Sequence, residues 1–310
     1  MRKLWIIIVF VLPIMSGLPG QNNVALLDTP VRRLQTVRVD AGTDQQLYSF
    51  QLNRGLIYLN AAVDEVQGKY ILDTGAPGLV LNEEPTTELD GYTAHSCSEE
   101  IQIGTRFVHH FALGKRELRS FDAISINLDH LNDAHGQPIA GLIGFELFQD
   151  YTLLINYQRR QLHLLNYSVN RAHYQPLAQL PFELDGHLPV VELRVGEQVL
   201  RLGVDTGSAS NILDQNWLDK LSFWDTGLPN EEVQGLDQQV QQVRAAELSE
   251  LQLGDLQTNA KFLLMDLSHL TAGGGAALDG LLGYDFLSQY LVAIDYPNRK
   301  ILLFAATLEQ

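Results

Sequence analysis

Two four-residue stretches hold the most reactive arrangement in the chain: Asp73-Thr74-Gly75-Ala76 and Asp205-Thr206-Gly207-Ser208. Each follows a short apolar run, Tyr70-Ile71-Leu72 in one case and Leu202-Gly203-Val204 in the other. A carboxylate at the end of a hydrophobic strand is costly to desolvate unless it is hydrogen-bonded or has a task. A single Asp-Thr-Gly triplet arises by chance in roughly one such chain in twenty at average residue usage. Two at equivalent places in a repeated frame are strong evidence of a shared task, which two carboxylates have if the copies bring them face to face. Such a pair cannot ionise fully at low cost, so it shares a proton and titrates as a unit. The ionised member then takes a proton from water while the protonated member donates to a carbonyl oxygen. The bland alternative is that each triplet caps a turn, with Asp and Thr bonding locally and Gly at positive φ.

The frame that positions these loops is a duplication. Residues 50–82 align without a gap to residues 182–214, at an offset of 132 and with nine identities in 33 positions. Further on, Ile101-Gln102-Ile103-Gly104 matches Leu251-Gln252-Leu253-Gly254 at an offset of 150, and Gly141-Leu142-Ile143-Gly144 matches Gly280-Leu281-Leu282-Gly283 at 139. On this alignment the second copy gains 18 residues between the first two blocks and loses 11 between the next two. Both copies end in a strand, a turn and a second strand, around Tyr157 and Tyr296. Most apolar segments are short, rich in Val, Ile, Leu and Tyr and separated by Gly, Asp and Asn, which is a β pattern. Each copy has one helical hint, at 145–150 and 284–289. The expected fold is mainly β, two pseudo-symmetric lobes with one short helix each.

These paired motifs resemble the aspartic peptidases of the retropepsin and pepsin type, over about 250 residues, from Phe50 to Phe304. The resemblance implies two acid-protease β-barrel lobes, each giving one Asp-Thr-Gly-Ala/Ser loop backed by two hydrophobic residues and a glycine. Here the backing elements are Leu142-Ile143-Gly144 and Leu281-Leu282-Gly283. It assigns Asp73 and Asp205 as the catalytic pair and Thr74 and Thr206 as the hydrogen-bond grip beneath it. Both aspartates in one chain resemble pepsin, while the short lobes are closer to retropepsin-like bacterial peptidases, whose usual form is a dimer of single lobes.

Within that frame several finer expectations follow. Gly75 and Gly207 let the backbone approach the carboxylates and supply N–H donors. Ser208 carries a hydroxyl where Ala76 has none, so a Ser208 donor to Asp205 would leave the charge on Asp205 and the proton on Asp73. Only 27 residues separate Gly75 from Ile103, which argues against a long substrate-covering flap in the first copy. The flap is expected in the second, with Gly235 at the tip of a hairpin and in contact with substrate; a polar loop without a catalytic role is the alternative there. The substrate is a polypeptide bound extended, as an added strand.

Composition narrows the remaining choices. The 310 residues carry Lys+Arg 21 against Asp+Glu 37, a formal charge of −16, which repels a nucleic-acid backbone. Arg2 and Lys3 precede an apolar stretch at 4–12 that is followed by Pro13 and small residues, the layout of a secretory signal peptide. The stretch is short for a membrane span, so no stable span is expected after cleavage, with an uncleaved anchor as the alternative. The organisation then reads as a signal peptide at 1–20, an extension at 21–49, a first lobe at 50–167, a linker at 168–181 and a second lobe at 182–310. The lone Cys97 allows no intrachain disulfide and shows no sign of an activated thiolate. His109-His110 lacks a third ligand at metalloprotease spacing, and Gly273-Gly274-Gly275 fits no phosphate loop. The expected protein is a secreted or periplasmic, monomeric aspartic endopeptidase needing neither metal nor cofactor. A catalytically silent peptide-binding module and a peptidase that processes itself or one dedicated partner are the other readings.

Overall fold

A computed structural model describes residues 3–5, 10–13, 45–84, 88–95, 100–129, 131, 138–166, 175–225, 230–234, 240–267 and 277–306. The chain is mainly β, two β-barrel lobes with almost no helix. The two helical hints fold as single turns, a 3-10 turn at Phe145–Leu147 and an α-helical turn at Tyr284–Leu287. No helix among the described residues is long and apolar enough to cross a membrane.

The lobes meet in a six-stranded antiparallel sheet, ordered Gln45–Ser49, Gln161–Leu165, Thr152–Asn156, Tyr290–Asp295, Lys300–Ala305 and Ala178–Asp185. At its centre Leu154 pairs with Ala293, the residue that occupies the same place in the second copy at offset 139. A residue paired with its own counterpart lies on the symmetry axis, so the pseudo-twofold passes between these two strands. The strand Tyr290–Asp295 is buried along its whole length, while Ala178–Asp185 begins with strict alternation, Ala178, Leu180 and Phe182 inward. These are the patterns of a central and an outer strand. One apolar core runs through both lobes, including Leu153, Ile155, Val292 and Ile294 of this sheet.

The boundaries drawn at 50 and 182 cut through this sheet. Gln45–Ser49 pairs with Gln161–Leu165 as Ala178–Pro181 pairs with Lys300–Leu303, so the end of the extension and the end of the linker are matching outer strands. Their identity was hidden because outer strands tolerate varied side chains and the two segments share no motif.

The second repeated block also needs correction. Val63 pairs with Phe111, and its counterpart Val195 pairs with Leu251. Phe111-Ala112-Leu113-Gly114 is therefore equivalent to Leu251-Gln252-Leu253-Gly254, at an offset of 140 rather than 150. Gly114 and Gly254 both turn at φ 58, where a side chain is strained. The second copy thus gains only eight residues ahead of this turn. Part of its extra length forms a 3-10 turn at Gln215–Trp217 and a short strand at Phe223–Asp225 that pairs with Leu248 and Glu247.

With the corrected alignment the first lobe has room for a hairpin, and it forms one: Glu88–His95 runs antiparallel to Glu100–Leu113. The second lobe has its counterpart, Glu231–Gln234 against Val240–Leu253. Gly235, Cys97 and Gly273-Gly274-Gly275 lie outside the described residues. Each hairpin also accepts an extended segment from the N-terminus of the chain. Lys3–Trp5 lies parallel to Glu232–Gln234, and Phe10–Pro13 antiparallel to Tyr92–His95.

Candidate active site

Each Asp-Thr-Gly loop starts where a buried strand runs out beside a parallel partner. Leu72 ends the strand Val66–Leu72 and pairs with Ile143, whose carbonyl accepts the Asp73 N–H at 3.0 Å. Val204 pairs with Leu282, whose carbonyl accepts the Asp205 N–H at the same distance. The glycine after each partner strand abuts the loop itself. A Cβ on Gly144 would stand 2.2 Å from the Ala76 carbonyl oxygen, and one on Gly283 would stand 2.4 Å from that of Ser210. Phe145 and Tyr284 then donate their N–H groups to the Ala76 and Ser208 carbonyls, both at 2.9 Å.

The two loops lock to each other through their threonines. Thr74 N–H donates to Thr206 Oγ1 at 3.1 Å and Thr206 N–H to Thr74 Oγ1 at 3.0 Å. The hydroxyls pass the bond on across the interface, Thr74 Oγ1 to the Val204 carbonyl at 2.7 Å and Thr206 Oγ1 to the Leu72 carbonyl at 2.8 Å. All four bonds are buried, where leaving a partner unpaired costs about 1–3 kcal/mol.

This grip presses the two carboxyl groups together. Gly75 N–H donates to Asp73 Oδ1 and Gly207 N–H to Asp205 Oδ1, each at 2.8 Å. A Cβ on Gly75 would lie 3.0 Å from Asp205 Oδ1, and one on Gly207 would lie 2.6 Å from Asp73 Cγ. Any side chain here would displace the opposing carboxyl. Asp73 and Asp205 are 0% and 1% exposed, and the second oxygen of each, Oδ2, is buried without a hydrogen-bond partner. Burial is the main cause that pushes Asp205 up to about 7, against the pull of the Gly207 N–H, Asp73 and the Gly75 N–H. Asp73 is raised well above the usual carboxylate range, by burial first, then by the charge of Asp205 and a hydrogen bond to it. Burial raises both carboxyls, and they titrate as one coupled pair rather than as two separate acids.

Ser208 does not act as its type suggested. Its hydroxyl donates to the Ser210 carbonyl at 2.7 Å, closing the loop on itself rather than reaching Asp205. His187, not singled out by its sequence context, places Nε2 2.6 Å from the Gly75 carbonyl oxygen across the lobe interface. Asn211 braces the second loop, accepting from Gly283 N–H at 3.0 Å and donating to the Lys261 carbonyl at 2.9 Å.

Two tyrosines back the pair symmetrically. Tyr157 sits between Phe50 and Tyr284, with ring centroids 6.3 and 5.6 Å away, and Tyr296 between Phe182 and Phe145, at 5.9 and 5.5 Å. In each trio one ring comes from the opposite lobe. Burial pushes both phenols far up, and the negative dyad adds to it, Asp205 at Tyr157 and Asp73 foremost at Tyr296.

Residues 191–286 match a family model described as aspartyl protease. The match runs from within the strand Leu188–Val195 to the helical turn at Tyr284–Leu287, so it takes in Asp205-Thr206-Gly207-Ser208 and Gly283. No curated protein matches the chain. The match lies within the second lobe; the first carries the same loop in the same place, related by the pseudo-twofold.

Proposed function

We propose that this protein is an aspartic endopeptidase in which Asp73 and Asp205 activate water against a peptide bond. The observation that carries this reading is the pair itself: two buried carboxyls on threonine-locked loops, with both Oδ2 atoms unpaired. Those two oxygens are the groups free to hold a water between them. The ionised aspartate takes a proton from that water as it attacks the carbonyl carbon, and the protonated one gives its proton to the carbonyl oxygen. The resulting gem-diol collapses as the nitrogen is protonated and leaves as an amine, which restores the shared proton. The chain's own donors do this work, and no covalent intermediate forms.

An extended substrate suits the hairpins, whose edges already accept extended backbone at Lys3–Trp5 and Phe10–Pro13. We read residues 1–20 as an export signal whose removal vacates both edges, and the mature protein as secreted or periplasmic. One chain supplies both aspartates, so a monomer holds the complete pair. The test is cleavage of an unbiased peptide mixture from pH 3 to 8 by wild type, Asp73→Asn and Asp205→Asn. Each substitution is expected to lower turnover by about a thousandfold or more. Activity that survives either one overturns the mechanism, and binding without cleavage by wild type establishes the silent peptide-binding module instead.

A further inference from the structure

Beside the pair, one position separates the two lobes sharply. The offset of 132 that carries Asp73 onto Asp205 carries Gly55 onto His187. Gly55 turns at φ 87, and the ring of Tyr284 packs 3.0 Å from where its Cβ would be. With no side chain, that position has nothing to offer the second loop. His187 follows Gly186, φ 59, in the turn that joins Ala178–Asp185 to Leu188–Val195, and it reaches into the first loop instead.

The chemistry of that contact is directional. A carbonyl oxygen only accepts, so His187 Nε2 carries a proton and donates it to Gly75 at 2.6 Å. The same peptide unit ends in the Ala76 N–H, which donates to the backbone carbonyl of Asp73 at 3.2 Å; from there it also pulls the Asp73 carboxyl toward the ionised form. A hydrogen bond at the C=O end of an amide polarises the unit and strengthens its N–H as a donor. One peptide unit thus links the imidazole of one lobe to the backbone of the aspartate of the other. The opposite loop has the matching Ser208 N–H, 3.3 Å from the Asp205 carbonyl, but glycine at the matching position across the interface.

We propose that His187 is a positioning residue of the dyad, acting through the Gly75–Ala76 peptide to hold Asp73 in place and to make the two aspartates unequal. This role rests on the peptidase reading, yet part of its test does not need turnover. His187→Ala is expected to lower kcat about tenfold, the effect of a lost hydrogen bond in the transition state, with KM changed less than twofold. His187→Gln keeps an N–H donor at similar reach and is expected to recover kcat to within about threefold of wild type. A purely structural role would lower thermal stability without this split and without the rescue. In parallel, carbon-13 titration of the aspartate carboxyls reads the pair directly. His187→Ala is expected to move the Asp73 titration upward by about half to one pH unit, and His187→Gln to leave it near wild type.

Equal kcat in all three proteins overturns the proposal, as does a glutamine variant no better than alanine. Wild type that cleaves nothing would overturn the peptidase reading alone. In that case an Asp73 titration unmoved by His187→Ala would overturn this proposal on its own, and an upward move would sustain it.

Discussion

Gly55 and His187 stand at the same place in the two lobes, one step before the strands Leu56–Val63 and Leu188–Val195, and they treat the opposite loop differently. Across from Gly55 an aromatic ring fills the space; across from Gly75 an imidazole donates a hydrogen bond. Below them the grip is matched: the threonine bonds agree to within about 0.1 Å, the glycine donors to the aspartates are equal, and the tyrosines sit in equivalent trios. The comparison teaches that the grip holding the aspartates is symmetric and that inequality enters from the rim of the site. A symmetric base is what keeps both carboxyls at the axis. An unequal rim lets a single proton have a preferred side.

The symmetric part can be broken from either lobe. Thr74→Val and Thr206→Val each remove a hydroxyl that both accepts and donates across the interface, leaving a buried N–H and a buried carbonyl unpaired. Each is expected to cost about 2–4 kcal/mol, and the two costs should agree within about 1 kcal/mol. Chemical denaturation of both variants checks this, and a marked difference would show that the base is unequal too.

Acid–base behaviour sharpens the point. Burial raises the aspartate pair above the ordinary carboxylate range, up to about 7 at Asp205, while unfolded carboxyls titrate near 4, so the fold binds more protons between those values. This raised position makes stability greatest below about pH 4 and has it fall as pH rises toward 7. Asp205→Asn removes the charge that must otherwise be buried. Its melting temperature is therefore expected to gain on wild type steadily from pH 4 to pH 7, and a constant difference across that range would contradict the buried, raised carboxyl.

The smallest effect tests the side that looked asymmetric from residue types alone. Ser208→Ala deletes a bond to the Ser210 carbonyl and nothing at Asp205. It is expected to cost about 1 kcal/mol of stability and to leave the acid limb of the pH–rate profile in place. A shift of that limb would return Ser208 to the dyad.

Much of the site was legible because it is local. Asp-Thr-Gly sits at the end of an apolar strand in both copies, and the glycines after Leu142-Ile143 and Leu281-Leu282 abut those loops as carbonyl contacts require. The hairpins were misjudged because Ile101-Gln102-Ile103-Gly104 imitates Leu251-Gln252-Leu253-Gly254 better than the true equivalent, Phe111-Ala112-Leu113-Gly114, does. Strands that alternate apolar residues and end in glycine look alike, and only strand pairing and the positive φ of Gly114 and Gly254 set the register. Likewise, a serine hydroxyl has several acceptors within reach, and its choice of Ser210 depends on how the loop closes.

What the sequence determined by itself is the duplication, the β character of both halves and the two aspartates, since these rest on residue type and on periodicities a few positions long. The tertiary structure decided how the copies meet. It put Leu154 against Ala293 on the axis, recruited residues 45–49 and 178–181 as outer strands, and carried His187 to Gly75, 112 positions away in the chain. Contacts of that span depend on the packing of two lobes, and no local pattern encodes which side chain will face which carbonyl once they have closed.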